Sequence, residues 1–336
     1  MKWLKPKECG LNKAAHPVHT HDSGFKINRL PNYWVQKVLR KIAGPAQFPA
    51  GLQLLFRTDS TRLVVKYTCG VLIGPLPQKI IILVDGYVLE YPVHSSTEPI
   101  EFMVSLHFKA DRMVEMLLPW GAEITLFGIG IDDQAVLTPY HDRRKSICFC
   151  GDSITQGCCA SSPVHTYPYL VSQGLDMQLV NHGYYGLAFP DPALAIYLAK
   201  EVNWDILCLA MGVNAYLLGQ HGAAEFEKLY QVFLEIIRLY KPGKPVFCLS
   251  PIWQRDGDGE DKLNAKNNSL QDYRAAIQNV VLGMQTKDQH LYFINGLLLV
   301  DSGEDIVEDG LHPDDAGMKT IAQGILLAFK INGVLK

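Results

Sequence analysis

Ser153 lies in Gly151-Asp152-Ser153-Ile154-Thr155-Gln156-Gly157, directly after the apolar run Ser146 to Cys150 and ahead of a segment that reads as a helix start. Near the other end of the chain, Asp309-Gly310-Leu311-His312-Pro313 offers a carboxyl group and an imidazole. A serine hydroxyl becomes a nucleophile when a base takes its proton and a third group orients that base. These residue types point to acyl transfer, with Ser153 as nucleophile, His312 as base and Asp309 as the group that fixes its tautomer.

Attack on an ester carbonyl builds negative charge on the carbonyl oxygen, so donors must converge on it. The backbone N–H of Ser153, at a helix start, lacks an intrahelical partner and lies at the positive end of the helix. Gly186, in Asn181-His182-Gly183-Tyr184-Tyr185-Gly186-Leu187, allows the backbone to come close to a ligand. Asn214, in Gly212-Val213-Asn214, supplies a neutral side-chain donor. The expected oxyanion hole is therefore Ser153, Gly186 and Asn214. Each string alone has a plainer reading as a helix cap or a turn. Their weight comes from falling, in order, at strand ends of one domain.

That domain begins at Ser146. Apolar strands at 146–150, 177–181, 205–211, 245–250 and 290–294 alternate with helical stretches, among them the stripe Phe226, Leu229, Phe233, Ile236, Ile237 and Tyr240. Continuous apolar strands between amphipathic helices predict a parallel sheet covered on both faces, a three-layer α/β/α domain. Sites in such sheets gather beyond the carboxyl ends of the strands. Before it, seven β-rich segments fill residues 51–131, broken by Asp59-Ser60, Gly74-Pro75, Asp85-Gly86 and Trp120-Gly121. These predict an all-β sandwich, jelly-roll-like. The charged stretch Tyr140 to Lys145 places the seam, giving a β-sandwich domain over 1–143 and an α/β domain over 144–336.

Gly-Asp-Ser-Ile-Thr, the later glycine, Gly-x-Asn and Asp-x-x-His, in this order, resemble the four blocks of the SGNH (GDSL-type) hydrolase superfamily, over roughly residues 146–330. The stretch Gly151 to Tyr169, and more loosely Phe56-Arg57-Thr58-Asp59-Ser60, resembles a subgroup with an N-terminal β-sandwich, similar in layout to carbohydrate esterase family 2. The resemblance implies the same roles for Ser153, His312, Asp309, Gly186 and Asn214, and a carboxylic-ester hydrolase acting on a short acyl group, acetyl foremost, on a carbohydrate. The chain departs from the pattern at Ala215, where an acid usually follows the asparagine, and at Tyr185, often serine. Tyr185 and Trp253 are candidates to stack on a sugar; ordinary rim or core aromatics is the alternative.

The chain has 336 residues, 48% hydrophobic and 19% charged, with a formal net charge of -3, so it can bury a sizeable core. Its basic residues are scattered, which gives no footprint for nucleic acid. No run approaches the ~20 apolar residues that span a bilayer. The eight cysteines lack C-x-x-C spacing, and several sit in apolar strands. With no signal peptide visible, they predict a reduced, cytoplasmic protein. No metal and no cofactor is expected, since no HExxH, Walker A or Gly-x-Gly-x-x-Gly string occurs. The expected partner is a small-molecule or carbohydrate ester, with neither nucleic acid nor membrane; the oligomeric state stays open. Alternatives are a lysophospholipase, a broad short-chain esterase, an acyltransferase, or a non-catalytic carbohydrate-binding protein sharing the fold. His16, His19 and His21 read as a solvated arm, and Cys158-Cys159 as a buried helix start.

Overall fold

A computed structural model describes residues 1–12, 14–20, 23–258 and 262–334. The chain divides into two compact units, Met1–Arg143 with Ser161–Val164, and Arg144–Ala160 with His165–Lys336.

The first unit is a jelly roll. One antiparallel sheet has the order Val18–His19, Phe25–Lys26, Ala122–Ile131, Arg62–Leu72, Ser96–Ser105, with Lys2–Leu4 added to Ala122–Ile131. The other has the order Leu137–Pro139, Gln53–Thr58, Arg112–Leu117, Lys79–Val84, Tyr87–Pro92. Alternation sets the buried faces: Leu63, Val65, Tyr67 and Cys69 point inward from one strand, and Ile80, Ile82 and Val84 from another, into one shared core. The seven strands expected from residues 51–131 are all present. The expected arm is a short strand instead, its His19 still exposed. Val18–His19 pairs with Phe25–Lys26, and the His19 ring lies 4.5 Å from that of Phe25. His21 lies outside the described residues.

The second unit has a five-stranded parallel sheet in the order Gln178–Gly183, Ser146–Gly151, Ile206–Ala210, Val246–Leu249, Leu291–Ile294. The interior strand Ser146–Gly151 is buried at every residue, as expected for a strand covered on both faces. The helices are α1 (Ser153–Gln156), α2 (Tyr167–Gly174), α3 (Pro192–Lys200), α4 (Val213–Leu218), α5 (Ala223–Tyr240), α6 (Leu270–Gln285) and α7 (Asp315–Ile331). In α5 the predicted stripe buries Phe226, Phe233 and Ile237. Strand order reverses about Ser146–Gly151, and a reversal opens the crevice at which such sheets bind ligands. Ser153 follows that strand. Among the described residues no helix is long and apolar enough to cross a membrane. All eight cysteines are free and buried.

Candidate active site

The turn that presents Ser153 is tightly specified. A side chain on Gly151 would put its Cβ 2.2 Å from Thr155 Oγ1 and 2.7 Å from Ala210 O, so only glycine lets the strand pass here. Asp152 caps α1: its Oδ1 accepts from the N–H of Ile154 at 2.9 Å and of Thr155 at 3.4 Å. Burial pushes the Asp152 carboxyl up to about 6, against the pull of those two N–H groups and of His312. Ser153 is thereby the first residue of the helix, its side chain in the crevice at 5% exposure.

His312 arrives from the loop before α7. Asp309 Oδ1 accepts from the N–H of Leu311 at 2.8 Å and of His312 at 2.9 Å, folding the loop back on its own acid. The bridge Ile306–Pro313 and the cap of Asp314 on Gly317 N–H tie the loop to the helix. The result brings the three predicted residues together. His312 Nδ1 lies 2.6 Å from Asp309 Oδ2, and His312 Nε2 lies 2.8 Å from Ser153 Oγ. Burial raises the Asp309 carboxyl, but the N–H and imidazole of His312 and the N–H of Leu311 outweigh it and hold it below the ordinary carboxylate range. An ionised carboxylate only accepts hydrogen bonds. Nδ1 therefore carries the ring proton, and the lone pair of Nε2 faces the serine hydroxyl.

The oxyanion candidates sit on neighbouring loops. Asn214 lies in the first turn of α4, 5% exposed, and its Oδ1 accepts from the N–H of Ala188 at 2.9 Å. That bond uses the amide oxygen and leaves its NH₂ group as the donor the site would need. Gly186 has φ +71, and a Cβ there would meet nothing within 4 Å, so backbone conformation selects glycine and the space beside it is open. Its loop is held by Tyr185 N–H donating to Gln156 Oε1 at 3.0 Å, and by Asn181, which donates to Thr155 O at 2.8 Å and accepts from Gly183 N–H at 2.7 Å. The Tyr185 ring, 44% exposed, runs parallel to the His312 ring, at 9° and 6.4 Å between centroids. Trp253, the other aromatic candidate, is half-buried; its backbone N–H donates to Val300 O and its ring lies against Gly303.

An apolar cavity of about 40 Å³ lies behind the turn, lined by Ile154, Val213, Leu249, Leu299, Leu311 and Ile321. What orients the donors is not visible in the sequence: Ala188 acts through its backbone, which no residue type advertises, and the parts played by Gln156 and Asn181 emerge only from their hydrogen bonds. Cys158-Cys159 was misplaced. The pair lies in the turn after α1, buried as expected, because Gly157 ends the helix. His165 pairs with Asp315 at 3.0 Å, and buried His182 bonds the Tyr184 hydroxyl at 2.8 Å.

No curated protein matches the chain in sequence. Among solved structures, the salicylyl-acyltransferase SsfX3 from a tetracycline biosynthetic pathway is similar over 99% of this chain and 98% of its own, at 22% identity and a TM-score of 0.88. A GDSL-like lipase from Bacteroides ovatus is similar over 100% and 98%, at 20% and 0.80. A family two carbohydrate esterase from Clostridium thermocellum, in complex with cellohexaose, is similar over 97% and 100%, at 16% and 0.70. At these identities the likeness is one of fold, and it extends over both units. The family is given by sequence: residues 144–329 match the GDSL-like lipase/acylhydrolase family, and the chain belongs to it.

Proposed function

We propose that this protein is a serine esterase that removes a short acyl group, acetyl foremost, from a carbohydrate. One observation carries the reading: the unbroken hydrogen-bonded series from Ser153 Oγ through His312 to Asp309, at 2.8 and 2.6 Å. His312 takes the hydroxyl proton through Nε2 as Ser153 Oγ attacks the ester carbonyl. Asp309 stabilises the imidazolium that forms. The oxyanion is held by the N–H groups of Ser153 and Gly186 and by the amide of Asn214. His312 then returns the proton to the leaving alcohol, activates water in turn, and the acyl group departs as the free acid.

The apolar side chains packed around the Ser153 turn, Ile154 and Leu311 among them, support a compact acyl group over a long chain. The exposed Tyr185 ring at the edge of the site supports a sugar, which stacks well on such a face. The likeness in fold to carbohydrate esterases supports the same class. Hydrolysis of p-nitrophenyl esters from acetate to decanoate, with Ser153→Ala in parallel, tests this. Serine-dependent activity highest on acetate is expected. A maximum at long chains would replace the reading with a lipid-type esterase.

A second reading is favoured by the likeness to a salicylyl-acyltransferase along almost the whole of both chains. The same acyl-enzyme would then be resolved by an alcohol instead of water. The products formed from an activated ester in the presence of sugar acceptors separate the two: free acid marks the esterase, and a new ester the transferase.

A further inference from the structure

Beside the proposed triad lie two buried nucleophiles that acyl transfer leaves idle. Adjacent residues in an extended chain point to opposite sides. Cys158 and Cys159 do not, because Cys159 takes a left-handed conformation at φ +69, unusual for a residue with a side chain. The Cys158 N–H bonds the Ser153 carbonyl at 2.8 Å, which fixes the turn against the nucleophile's own backbone. The two sulfurs end 3.8 Å apart. Ligand atoms of Cys158, Cys159 and His312 all lie within 4.8 Å of one another, and all three residues are buried.

That spacing has a chemical meaning. Zinc–thiolate bonds are about 2.3 Å, so a tetrahedral ion sets its two sulfurs about 3.8 Å apart. A disulfide bond, at about 2.05 Å, would require the sulfurs to close much further. We propose that Cys158, Cys159 and His312 form a site for a thiophilic divalent cation, typified by zinc, and that binding withdraws His312 from its catalytic partners and reversibly stops acyl transfer. The site stands on this geometry alone; only the inhibition rests on His312 being the base. On binding, two thiol protons pass to solvent, the two thiolates balance the charge of the ion, and a neutral imidazole nitrogen gives the third bond. Water takes the fourth position, and no electron moves. Calcium and magnesium, which prefer oxygen ligands, are not accommodated by two sulfurs and a nitrogen.

The test is titration of the metal-free protein with cadmium, read by its ultraviolet thiolate-to-metal charge-transfer band. One ion per chain is expected, displaced by zinc, with affinity falling roughly a hundredfold or more in Cys158→Ser and in Cys159→Ser. Zinc should also inhibit p-nitrophenyl acetate hydrolysis reversibly, relieved by chelator, while the hydrolysis that either variant retains is insensitive. No band at excess cadmium, or a band of equal size in both variants, overturns the site. A check on the unaltered protein avoids any folding defect: the metal-free protein dialysed against zinc should retain one equivalent per chain, and retention of none contradicts the proposal. A cadmium band in a protein without esterase activity supports the site and removes the esterase reading. An active esterase without the band does the reverse.

Discussion

At the scale of single residues, the proposed chemistry depends on which atoms Ser153, His312 and Asp309 present to each other. Ser153→Ala and His312→Ala should each lower kcat by about 10⁴-fold or more, with melting temperatures close to the unaltered protein. For Asp309 the structure sharpens the expectation. A backbone carbonyl could in principle share the work of orienting the ring, but among the described residues Nδ1 bonds only Asp309. An asparagine there can still accept from Leu311 and His312 while losing the charge that fixes the tautomer. Asp309→Asn should therefore cost about 10⁴-fold in kcat. A loss under tenfold would show that Asp309 does not orient the base. Asn214→Ala should lower kcat about 10²–10³-fold with little change in KM, since the amide acts on charge that exists only in the transition state. These residues were legible in the sequence because each chemical role demands a particular side chain. Trp253 was less so, because an aromatic residue serves a core and a binding face equally well.

At the scale of elements, the strand and turn ending in Asp152 deliver Ser153, the proposed nucleophile. The unfolded carboxyl titrates near 4, and burial raises the folded one to about 6. The folded state thus holds this proton more tightly, and the stability it contributes is present below pH 4 and lost as pH rises through about 6. Asparagine keeps the acceptor that caps α1 but carries no charge to bury. Asp152→Asn should flatten this loss and stabilise the fold at pH 8 by up to about 3 kcal/mol, read from urea unfolding at pH 4, 6 and 8. A variant less stable than the unaltered protein at pH 8 would show that the charge on the cap outweighs its burial. The parallel strands were legible as apolar runs, and the long sandwich strands from alternation. Lys2–Leu4, Val18–His19, Phe25–Lys26 and Leu137–Pro139 were not, because two or three residues carry no readable period. Phe25–Lys26 supplies a strand of the jelly roll all the same, because the neighbouring strand Ala122–Ile131 selects it by pairing.

At the scale of the whole molecule, two cores of different architecture share one chain, and each has its own ties. In the jelly roll, Asp132 accepts from Thr61 Oγ1 at 2.7 Å, from Thr61 N–H at 2.8 Å and from Arg62 Nε at 2.9 Å. Those bonds hold its carboxyl down at about 2. A depressed carboxyl contributes stability that is present above the unfolded value near 4 and lost as pH falls toward 2. Asp132→Asn should speed hydrogen exchange in Arg62–Leu72 and Ala122–Ile131 at neutral pH, and much less at pH 2; equal exchange at neutral pH would show that the bonds contribute nothing. The sequence showed that there are two kinds of core, because strand alternation gives way to apolar strands separated by helices. The central claim, that Ser153 is an activated nucleophile, is tested most directly by a fluorophosphonate probe read by intact mass and peptide mapping. One adduct per chain is expected, on Ser153, and none in Ser153→Ala or His312→Ala. Labelling at another residue, or equal labelling of the unaltered protein and Ser153→Ala, would contradict it.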